Sequence, residues 1–509
     1  MTVSFDQVAA NVNVPLFYAE MDNSQANTAQ TSGASLLIGQ ALPGAAIARN
    51  QLVLISSADQ ARTACGQGSP LARMVAAYRK TDPFGELYII AVNDAAEGAA
   101  AGTAATGKIA IAGAVTSAGA ISLYIGSIRI EGIVAVDDTA MQAAESLADA
   151  INADADLPVT AAAAANGDAA TITLTAKYTG VAGCNIPLTL NYYGMTGGEQ
   201  TPDGLNIQIT AMTGGAKPVD LDPVIAAMGD ESFDFIGFPF SDSSSLKLIG
   251  QEMDDSAGRW SWYRQLYGHV YSAKIGPLTD LVQFGDSFND QHLTICGYEP
   301  DTQTPPDELI AARLGRQAAF IRNDPARPTQ TGAITGALPA PVGKRNQILE
   351  RQSLLSHGIA TAAVSGGSLQ IERDVTTYKV NKFGATDNSY LDSETLHTSA
   401  YVLRKLKSVI TTKYARHKLA DDGTRFGQGQ AIVTPSVLRG EMCAVYKELE
   451  LAGIVENFEI FKKYLIVERN ANNSNRVDVL FPPDYVNQLR VFAVKNQFRL
   501  QYSDEEKNA

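Results

Sequence analysis

The sequence PPDYVNQLRVFAVKNQFRLQY, residues 482–502, determines how this chain is organised. It begins with two structure-breaking prolines and continues as an apolar-rich run. It ends in Phe498, Leu500 and Tyr502, which alternate with polar residues at the period of two that is typical of a β-strand. Such a strand has open amide edges, so it must pair either with its own sheet or with a neighbouring molecule. The residues alone leave both pairings open.

A second extended segment, residues 12–19, lies near the other end of the chain. Pro15 interrupts it and favours the edge of a sheet over its centre. Its apolar side chains include Val12, Val14, Leu16 and Tyr18. We therefore predict a strand that needs a partner near each end of the chain.

Composition excludes several classes of protein. A length of 509 residues predicts about three domains, and the net charge of −14 disfavours a general nucleic-acid-binding protein. The four cysteines are widely scattered, which favours reduced thiols in a cytosol-like compartment. No apolar run approaches the roughly 20 residues needed to span a bilayer, and no signal-peptide pattern opens the sequence. We expect no direct membrane insertion.

Residues 96–215 differ from the rest of the chain. They are rich in small residues and β-formers, with strands predicted at 108–111, 121–125, 128–130, 171–175 and 205–209. One helix is predicted at 141–153, capped by Asp138 or Thr139. The segment carries three basic and eleven acidic side chains, a net charge of −8. This charge predicts a solvated module that faces outward.

The residues on either side of this module alternate between strands and helices, as in an α/β sheet. Strands are predicted at 35–39, 51–55, 86–92 and 233–237, and helices at 70–80, 221–228, 244–266 and 307–320. The C-terminal part is mildly basic: a helix at 393–419, a glycine-rich turn, a helix at 435–452, and strands at 458–468 and 476–480.

The predicted fold class is mixed α/β (α+β). An α/β core domain, 28–95 with 216–392, is interrupted by a β-rich inserted peripheral domain, 96–215. It is followed by a C-terminal α+β domain, 393–485. Extended arms at 1–27 and 486–509 complete the organisation.

No catalytic, cofactor-binding or metal-binding residues are predicted. Residues 102–108 match the first seven positions of a phosphate-binding loop, but Ile109 replaces the Ser or Thr that holds magnesium. The strand pattern that follows is also wrong, because such a loop must lead into a helix. The five histidines have no metal-site spacing, and no nucleophile elbow is present. Trp260, Tyr263 and Tyr267 have helical spacing, which predicts a core or interface role.

Five segments carry a resemblance to a known family. Residues 5–8, 14–23, 434–441, 451–458 and 476–491 resemble the tail sheath proteins of Mu-type contractile-tailed phages. The resemblance implies a structural, non-enzymatic subunit without cofactors. Such subunits stack as hexameric rings around the tail tube, and the helical sheath contracts when the baseplate triggers it. The implied partners are the chain itself, the tail tube protein, and baseplate and tail terminator proteins, with no nucleic acid.

The resemblance also implies that both arms add strands to the C-terminal domains of neighbouring subunits. The inter-subunit strand residues would be Val12, Val14, Leu16, Tyr18, Phe498, Leu500 and Tyr502. The subunit would belong to the virion tail and would occupy the host cytoplasm during assembly.

The basic helix at 393–419 is the predicted contact with the tail tube. Its apolar positions, Leu396, Ala400, Leu403, either Leu406 or Ile410, and Tyr414, are expected to face the domain core. The opposite face carries Arg404, Lys405, Lys407, Lys413, Arg416 and Lys418. An ordinary amphipathic helix would show the same basic face to solvent. The resemblance implies instead that the C-terminal domain lies innermost and touches the tube.

Three alternatives remain open from the sequence. The sheath could belong to a headless contractile injection device instead of an infectious phage. A nucleotide-binding enzyme would have to place its site near residues 102–108. A surface adhesin would also be rich in strands and poor in sites.

Overall fold

The computed structural model describes residues 33–95, 102–217 and 219–500. In chain order its strands are β1 (Ser35–Gln40), β2 (Leu52–Leu54), β3 (Leu87–Val92), β4 (Ala104–Gly113), β5 (Gly119–Ile125), β6 (Ile128–Val134), β7 (Val159–Asn166), β8 (Ala169–Thr179), β9 (Leu188–Leu190), β10 (Leu205–Thr213), β11 (Phe235–Gly237), β12 (His269–Ile275), β13 (Leu293–Tyr298), β14 (Ile359–Ser365), β15 (Ser368–Arg373), β16 (Lys418–Leu419), β17 (Ile432–Val433), β18 (Ile466–Arg469) and β19 (Val477–Leu480). Its helices are α1 (Ala58–Cys65), α2 (Pro70–Thr81), α3 (Ala140–Ala153), α4 (Asp222–Met228), α5 (Ser243–Met253), α6 (Leu278–Asp286), α7 (Pro306–Asn323), α8 (Ile348–Ser356), α9 (Ser393–Tyr414), α10 (Pro435–Leu451) and α11 (Phe458–Tyr464).

A single eight-stranded sheet forms the centre of the molecule, in the order β15-β14-β13-β12-β11-β1-β3-β2. The six inner strands are parallel, and an antiparallel strand closes each edge. Strands β1 and β13 are buried along their whole length because helices cover both faces. Helices α2 and α7 pack on one face, and α4 and α5 pack on the other. The mixed α/β fold class is confirmed.

The segment between β3 and α4 forms its own β-rich unit. Two antiparallel sheets, β10-β4-β8-β7 and β6-β5-β9, share one apolar core with α3. A capping box between Thr139 and Gln142 starts α3, in agreement with the predicted cap. All five strands predicted for this segment are confirmed. An antiparallel bridge joins Asn93 to Asp220, so the chain leaves and re-enters the central sheet at neighbouring points.

One buried arginine anchors this unit to the central sheet. Arg73 of α2 lies 3.0 Å from Asp307 at the start of α7, and it also contacts Glu308 and the hydroxyl of Tyr178 in β8. Burial of Arg73 is tolerated because both carboxylates compensate its charge.

Three predicted elements differ from the structure. The helix predicted at 244–266 ends at Met253, because the Asp254 carboxylate accepts hydrogen bonds from the amides of Ser256 and Ala257 and forms a turn. Residues predicted as a strand at 458–464 form α11 instead. In that segment Phe458 and Phe461 face the core at a spacing of three, which competes with the period of two.

The third difference concerns the basic helix, which ends at Tyr414 and not at Leu419. The backbone of Lys418 hydrogen-bonds to Ala431 and enters the short parallel pair β16-β17. Arg416 therefore lies beyond the helix, and Lys418 lies in a strand.

Candidate assembly surface

The C-terminal domain has a small core of its own. Its nine buried residues are Val402, Met442, Val445, Tyr446, Leu449, Ile454, Val455, Phe461 and Leu465. Tyr446 stacks on Phe461 with ring centroids 3.7 Å apart, and its hydroxyl donates a 2.5 Å hydrogen bond to the carbonyl of Glu456. This core holds α9, α10 and α11 together and presents the strands that follow.

The hairpin β18-β19 is a sheet of only two strands among the described residues. Its side chains Ile466, Val479 and Leu480 remain about half exposed. A two-stranded ribbon is marginally stable alone, and each of its outer edges presents unpaired amides and carbonyls. The hairpin is therefore a template for further strands.

The chain then runs past Tyr485, which bridges to Val455, and Val486 donates its amide to the carbonyl of Ile454 at 3.1 Å. Beyond this point, as far as residue 500, the chain forms no helix and pairs as no strand with the described residues. Its large apolar side chains face solvent: Leu489, Val491, Phe492, Val494, Phe498 and Leu500. Phe498 is 75% exposed and Leu500 is 96% exposed. An apolar segment of this length needs a covering surface.

Arg490 anchors the beginning of this segment to the start of α9. Its guanidinium lies 3.1 Å from Oε1 of Glu394 and 3.3 Å from Oδ1 of Asp392, at the start of α9. Glu394 is fully buried, and its Oε1 also accepts hydrogen bonds from the amide and hydroxyl of Thr329. Burial raises the pKa of Glu394, and Arg490 opposes that shift. Sequence reasoning missed this cluster because Arg490 lies 96 residues from Glu394 and 98 residues from Asp392.

The predicted tube-contact residues differ in their surroundings: some form ion pairs within the subunit, and others are exposed to solvent. Arg404 turns inward: its guanidinium makes two 2.6 Å bonds to the carboxylate of Asp234 and donates to the carbonyl of Tyr267. Lys405 pairs with Glu448 at 3.0 Å, and Lys413 pairs with Glu441 at 2.7 Å. Lys407, Arg416 and Lys418 are exposed.

Some apolar positions of α9 depart from the predicted core face. Leu396 and Ala400 are buried as expected, whereas Leu403 and Ile410 are exposed. The first half of the helix lies against the central sheet, whereas Leu406 and Val409 of the second half pack against the C-terminal core, to which α10 contributes.

Of the seven predicted inter-subunit strand residues, two lie within the part of the chain that the structure describes. Phe498 and Leu500 lie on the exposed segment described above. Val12, Val14, Leu16, Tyr18 and Tyr502 lie outside the described residues.

The aromatic residues at 260–267 lie in two different environments, one packed and one exposed. Trp260 packs against Tyr267 and His292 and donates its indole N–H to the carbonyl of Gly268 at 2.8 Å. Trp262, in contrast, is 81% exposed and touches Tyr263 edge to face. The helical spacing prediction was wrong, since this segment is a loop.

The phosphate-loop pattern at residues 102–108 lacks the helix that such a loop needs. Residues 102–108 lead into β4 and not into a helix. Across residues 33–95, 102–217 and 219–500, no group of three or more His, Cys, Asp or Glu side chains could hold a metal ion. In the same ranges, every helix is too short or too polar to cross a membrane.

Comparisons with known proteins agree with this architecture. Three protein-family profiles match: the phage tail sheath protein central domain at residues 214–377, the phage tail sheath C-terminal domain at 385–499, and the DUF2586 N-terminal domain at 17–182. The chain is 38% identical over 503 residues to the Mu-like prophage FluMu tail sheath protein of Haemophilus influenzae, which covers 98% of this chain and 100% of that protein.

Two solved structures are also similar. A sheath tail protein from Desulfitobacterium hafniense is 11% identical, with a TM-score of 0.47 over 93% of this chain and 100% of that one. A sheath tail protein from Listeria innocua is 14% identical, with a TM-score of 0.48 over 89% and 92%. On the full-length identity to a tail sheath protein, the chain belongs to the family of phage tail sheath proteins, which are structural proteins and not enzymes.

Proposed function

We propose that this chain polymerises as stacked hexameric rings around a tail tube and contracts to drive the tube through the host envelope. The subunit would assemble in the host cytoplasm and contact baseplate and tail terminator proteins at the two ends of the sheath. Contraction would be a change between two packings of rigid subunits that stay linked, with no nucleotide consumed.

The observation that carries this proposal is the match between two exposed features of one subunit. The hairpin β18-β19 offers unpaired strand edges, and residues 491–500 offer an exposed apolar segment without secondary structure of its own. Strand addition satisfies both needs at once, since backbone hydrogen bonds give affinity and alternate side chains enter pockets. Residues 12–19 would add a further strand from another neighbour.

The domain organisation supports the same proposal. The unit at 96–215 is joined to the central sheet where Asn93 meets Asp220, so it would hang outward from the ring. The C-terminal domain would form the inner wall, where subunits are linked and the tube is held.

The tube contact would use the accessible cations at the end of the basic helix and just beyond it. Arg404 is held by Asp234, so Lys407, Arg416 and Lys418 are better placed to meet an acidic tube surface. Exposed ion pairs contribute only about 0.2–1 kcal/mol each and weaken with salt, which suits a contact that must release on contraction.

Reversing the charge of Lys407 and Arg416 to glutamate should abolish loading onto the tail tube at physiological salt, because attraction becomes repulsion. The subunit should still fold and form sheath without a tube. Co-sedimentation of sheath with purified tubes measures the loading. Lys344→Glu with Lys382→Glu, the same charge change at exposed loop residues outside α9, is the matched control. Loading by the Lys407/Arg416 variant equal to that of the control would move the contact to another element.

Replacing residues 96–215 by a short Gly/Ser linker should leave folding and polymerisation intact. Asn93 and Asp220, which flank the replaced residues, already lie side by side. The inserted unit also has its own core. Arg73 is kept in this variant, because Asp307 and Glu308 still pair with it when Tyr178 is lost and its site opens to solvent. Circular dichroism and electron microscopy measure the outcome. Loss of the folded central domain would contradict the proposed domain boundaries.

Negative-stain electron microscopy of the purified chain tests the function directly. Rings or tubes formed without any partner would support it, and a persistent monomer at high concentration would contradict it. A headless contractile device is the second candidate; purified particles that contain no capsid would favour it.

A further inference from the structure

The inserted unit contains a sheet whose two edges have no strand partner. Its four strands lie in the order β10-β4-β8-β7, so β10 pairs with β4 and β7 pairs with β8. No other strand of the described residues lies beside either edge. An open edge presents unpaired N–H and C=O groups and is a template for another strand.

The backbone groups that face outward from β7 can be identified. The side-chain amide of Asn152 donates to the carbonyl of Ala161 at 2.8 Å, and its oxygen accepts from the amide of Ala161 at 2.9 Å. Ala161 therefore faces away from β8. Because alternate residues of an antiparallel strand bond to the same side, Ala163 and Ala165 also face outward. Within the described residues neither of these two has a hydrogen-bond partner on that side.

The two edges lack the usual protection against pairing. The sequences of β7 and β10, VTAAAAAN and LNIQITAMT, contain no charged residue and no proline. Soluble proteins normally protect a free edge with charges, prolines or bulges. A bulge follows Thr210 near the end of β10 and leaves residues 205–210 regular. Uncharged edges in a unit with eleven acidic side chains indicate strands that accept a partner.

The two edges match in direction and in face. Each neighbouring pair in the sheet is antiparallel, so β7 runs opposite to β10. Ala161 and Ala163 of β7, like Ile207 and Ile209 of β10, pack on the core of the unit but are only half-buried. A second unit placed beside the first in the same orientation would bring β7 and β10 together as an antiparallel pair, with these side chains on one face.

We propose that β7 of one subunit pairs with β10 of the adjacent subunit, so that the sheets of neighbouring inserted units join edge to edge. The contact is head to tail, and repeated contacts of this kind close into a ring when the rotation between subunits permits. Pairing of β7 with β7 would need a two-fold axis between the strands, which adjacent subunits of a hexameric ring do not share. The inference rests on the proposed ring assembly, because it needs subunits that lie side by side in one direction.

The charge of the unit makes this contact dependent on assembly. Each unit has a net charge of −8, so free subunits repel each other through these units. Attachment within a ring raises the local concentration of the two edges and offsets the repulsion. We expect pairing in assembled rings, and between free subunits when salt screens the charges.

The test is cross-linking between two full-length chains, in both of which Cys184 and Cys443 are changed to serine. One chain carries Ala164→Cys and the other carries Gln208→Cys. Both positions are exposed and alternate with the core-facing residues of their strands. A short bismaleimide is added to the assembled mixture. Mixed dimers should exceed the self-linked dimers of either chain about tenfold, because opposite residues of a strand pair lie only about 5 Å apart.

A proline identifies the backbone contact. Ala163→Pro in the first chain removes an outward N–H that makes no bond to β8, so the unit should stay folded by circular dichroism. Mixed dimers should fall about tenfold, since the partner strand loses its donor. Ala163→Gly keeps the N–H and is the matched control, which should cross-link as before.

The outcomes separate this contact from the proposed function. Tubes that yield no mixed dimers would overturn the contact and leave the proposed function intact. If the chain forms no tubes, the proposed function fails, and the same mixture is cross-linked in about 1 M salt, where charges are screened beyond about 3 Å. Mixed dimers there would still support the contact, and their absence would overturn it. Self-linked dimers as abundant as mixed ones would overturn it in either case.

Discussion

Truncating the chain after Val491 is expected to abolish sheath polymerisation and leave a folded monomer. The residues removed include Phe492, Val494, Phe498 and Leu500, all mostly exposed in the single subunit. Their loss therefore removes little apolar burial from the monomer but removes the strand that would cover a neighbour. Sedimentation velocity and electron microscopy measure assembly, and circular dichroism measures folding. Tubes formed by the truncated chain would contradict strand exchange by this arm.

A second truncation distinguishes the exposed arm from the residues that anchor it to the subunit. Ending the chain after Pro483 also removes Tyr485 and Arg490, which bond to Val455 and Glu394. That variant should be unstable as a monomer, whereas the chain ending at Val491 should not. Equal stability of the two variants would show that residues 484–491 contribute nothing to the stability of the folded subunit.

Substitutions on the two faces of the arm give a matched control. Phe498→Asp with Leu500→Asp should block polymerisation, because both side chains would enter the neighbour's apolar surface. Gln497→Asp with Gln501→Asp adds the same charge to the alternate positions and should assemble. Equal loss in both variants would indicate a general charge effect and not strand pairing.

Most of the central fold could be predicted because its signals are local. The run Leu36, Leu37 and Ile38 is apolar without alternation, as expected of a strand buried on both faces. Ser69 and Pro70 start α2 with a side-chain cap and a proline in the first turn. The helix predicted over residues 254–266 is absent because two local signals compete, and the turn at Asp254 overrides the helical spacing of Trp260, Tyr263 and Tyr267.

The candidate surface was less predictable because its decisive contacts are distant in sequence. Arg404 has the same local pattern as Lys407, yet it bonds to Asp234, 170 residues away. Sequence periodicity places both on a basic face and cannot identify which one has an internal partner. The same limit hid Arg490, whose partners become neighbours only when the C-terminal segment folds back over α9.

Arg490→Met should destabilise the subunit by about 3–5 kcal/mol, the usual cost of leaving one partner of a buried ion pair. Glu394 is fully buried and would lose its cation, while its Oε2 already lacks a hydrogen-bond partner within the described residues. Asp392 keeps its pair with Arg373 at 2.8 Å, so the loss falls on Glu394. The free energy of unfolding in urea measures the effect. Lys495→Met, which removes an exposed cation from the same segment, should change it by less than about 0.5 kcal/mol.

The pH dependence of this loss identifies its cause. Burial raises the pKa of Glu394 above its usual 4.5, and removing Arg490 should raise that pKa further. The folded variant then keeps a proton that the unfolded chain releases, so its stability relative to wild type falls as pH rises above 4.5. The deficit should be largest at neutral pH and shrink toward pH 4.5. Adding Glu394→Gln should recover most of the lost stability and remove this pH dependence, because no buried charge remains. A deficit that is constant with pH would assign the effect to lost packing of the Arg490 side chain and not to the ion pair.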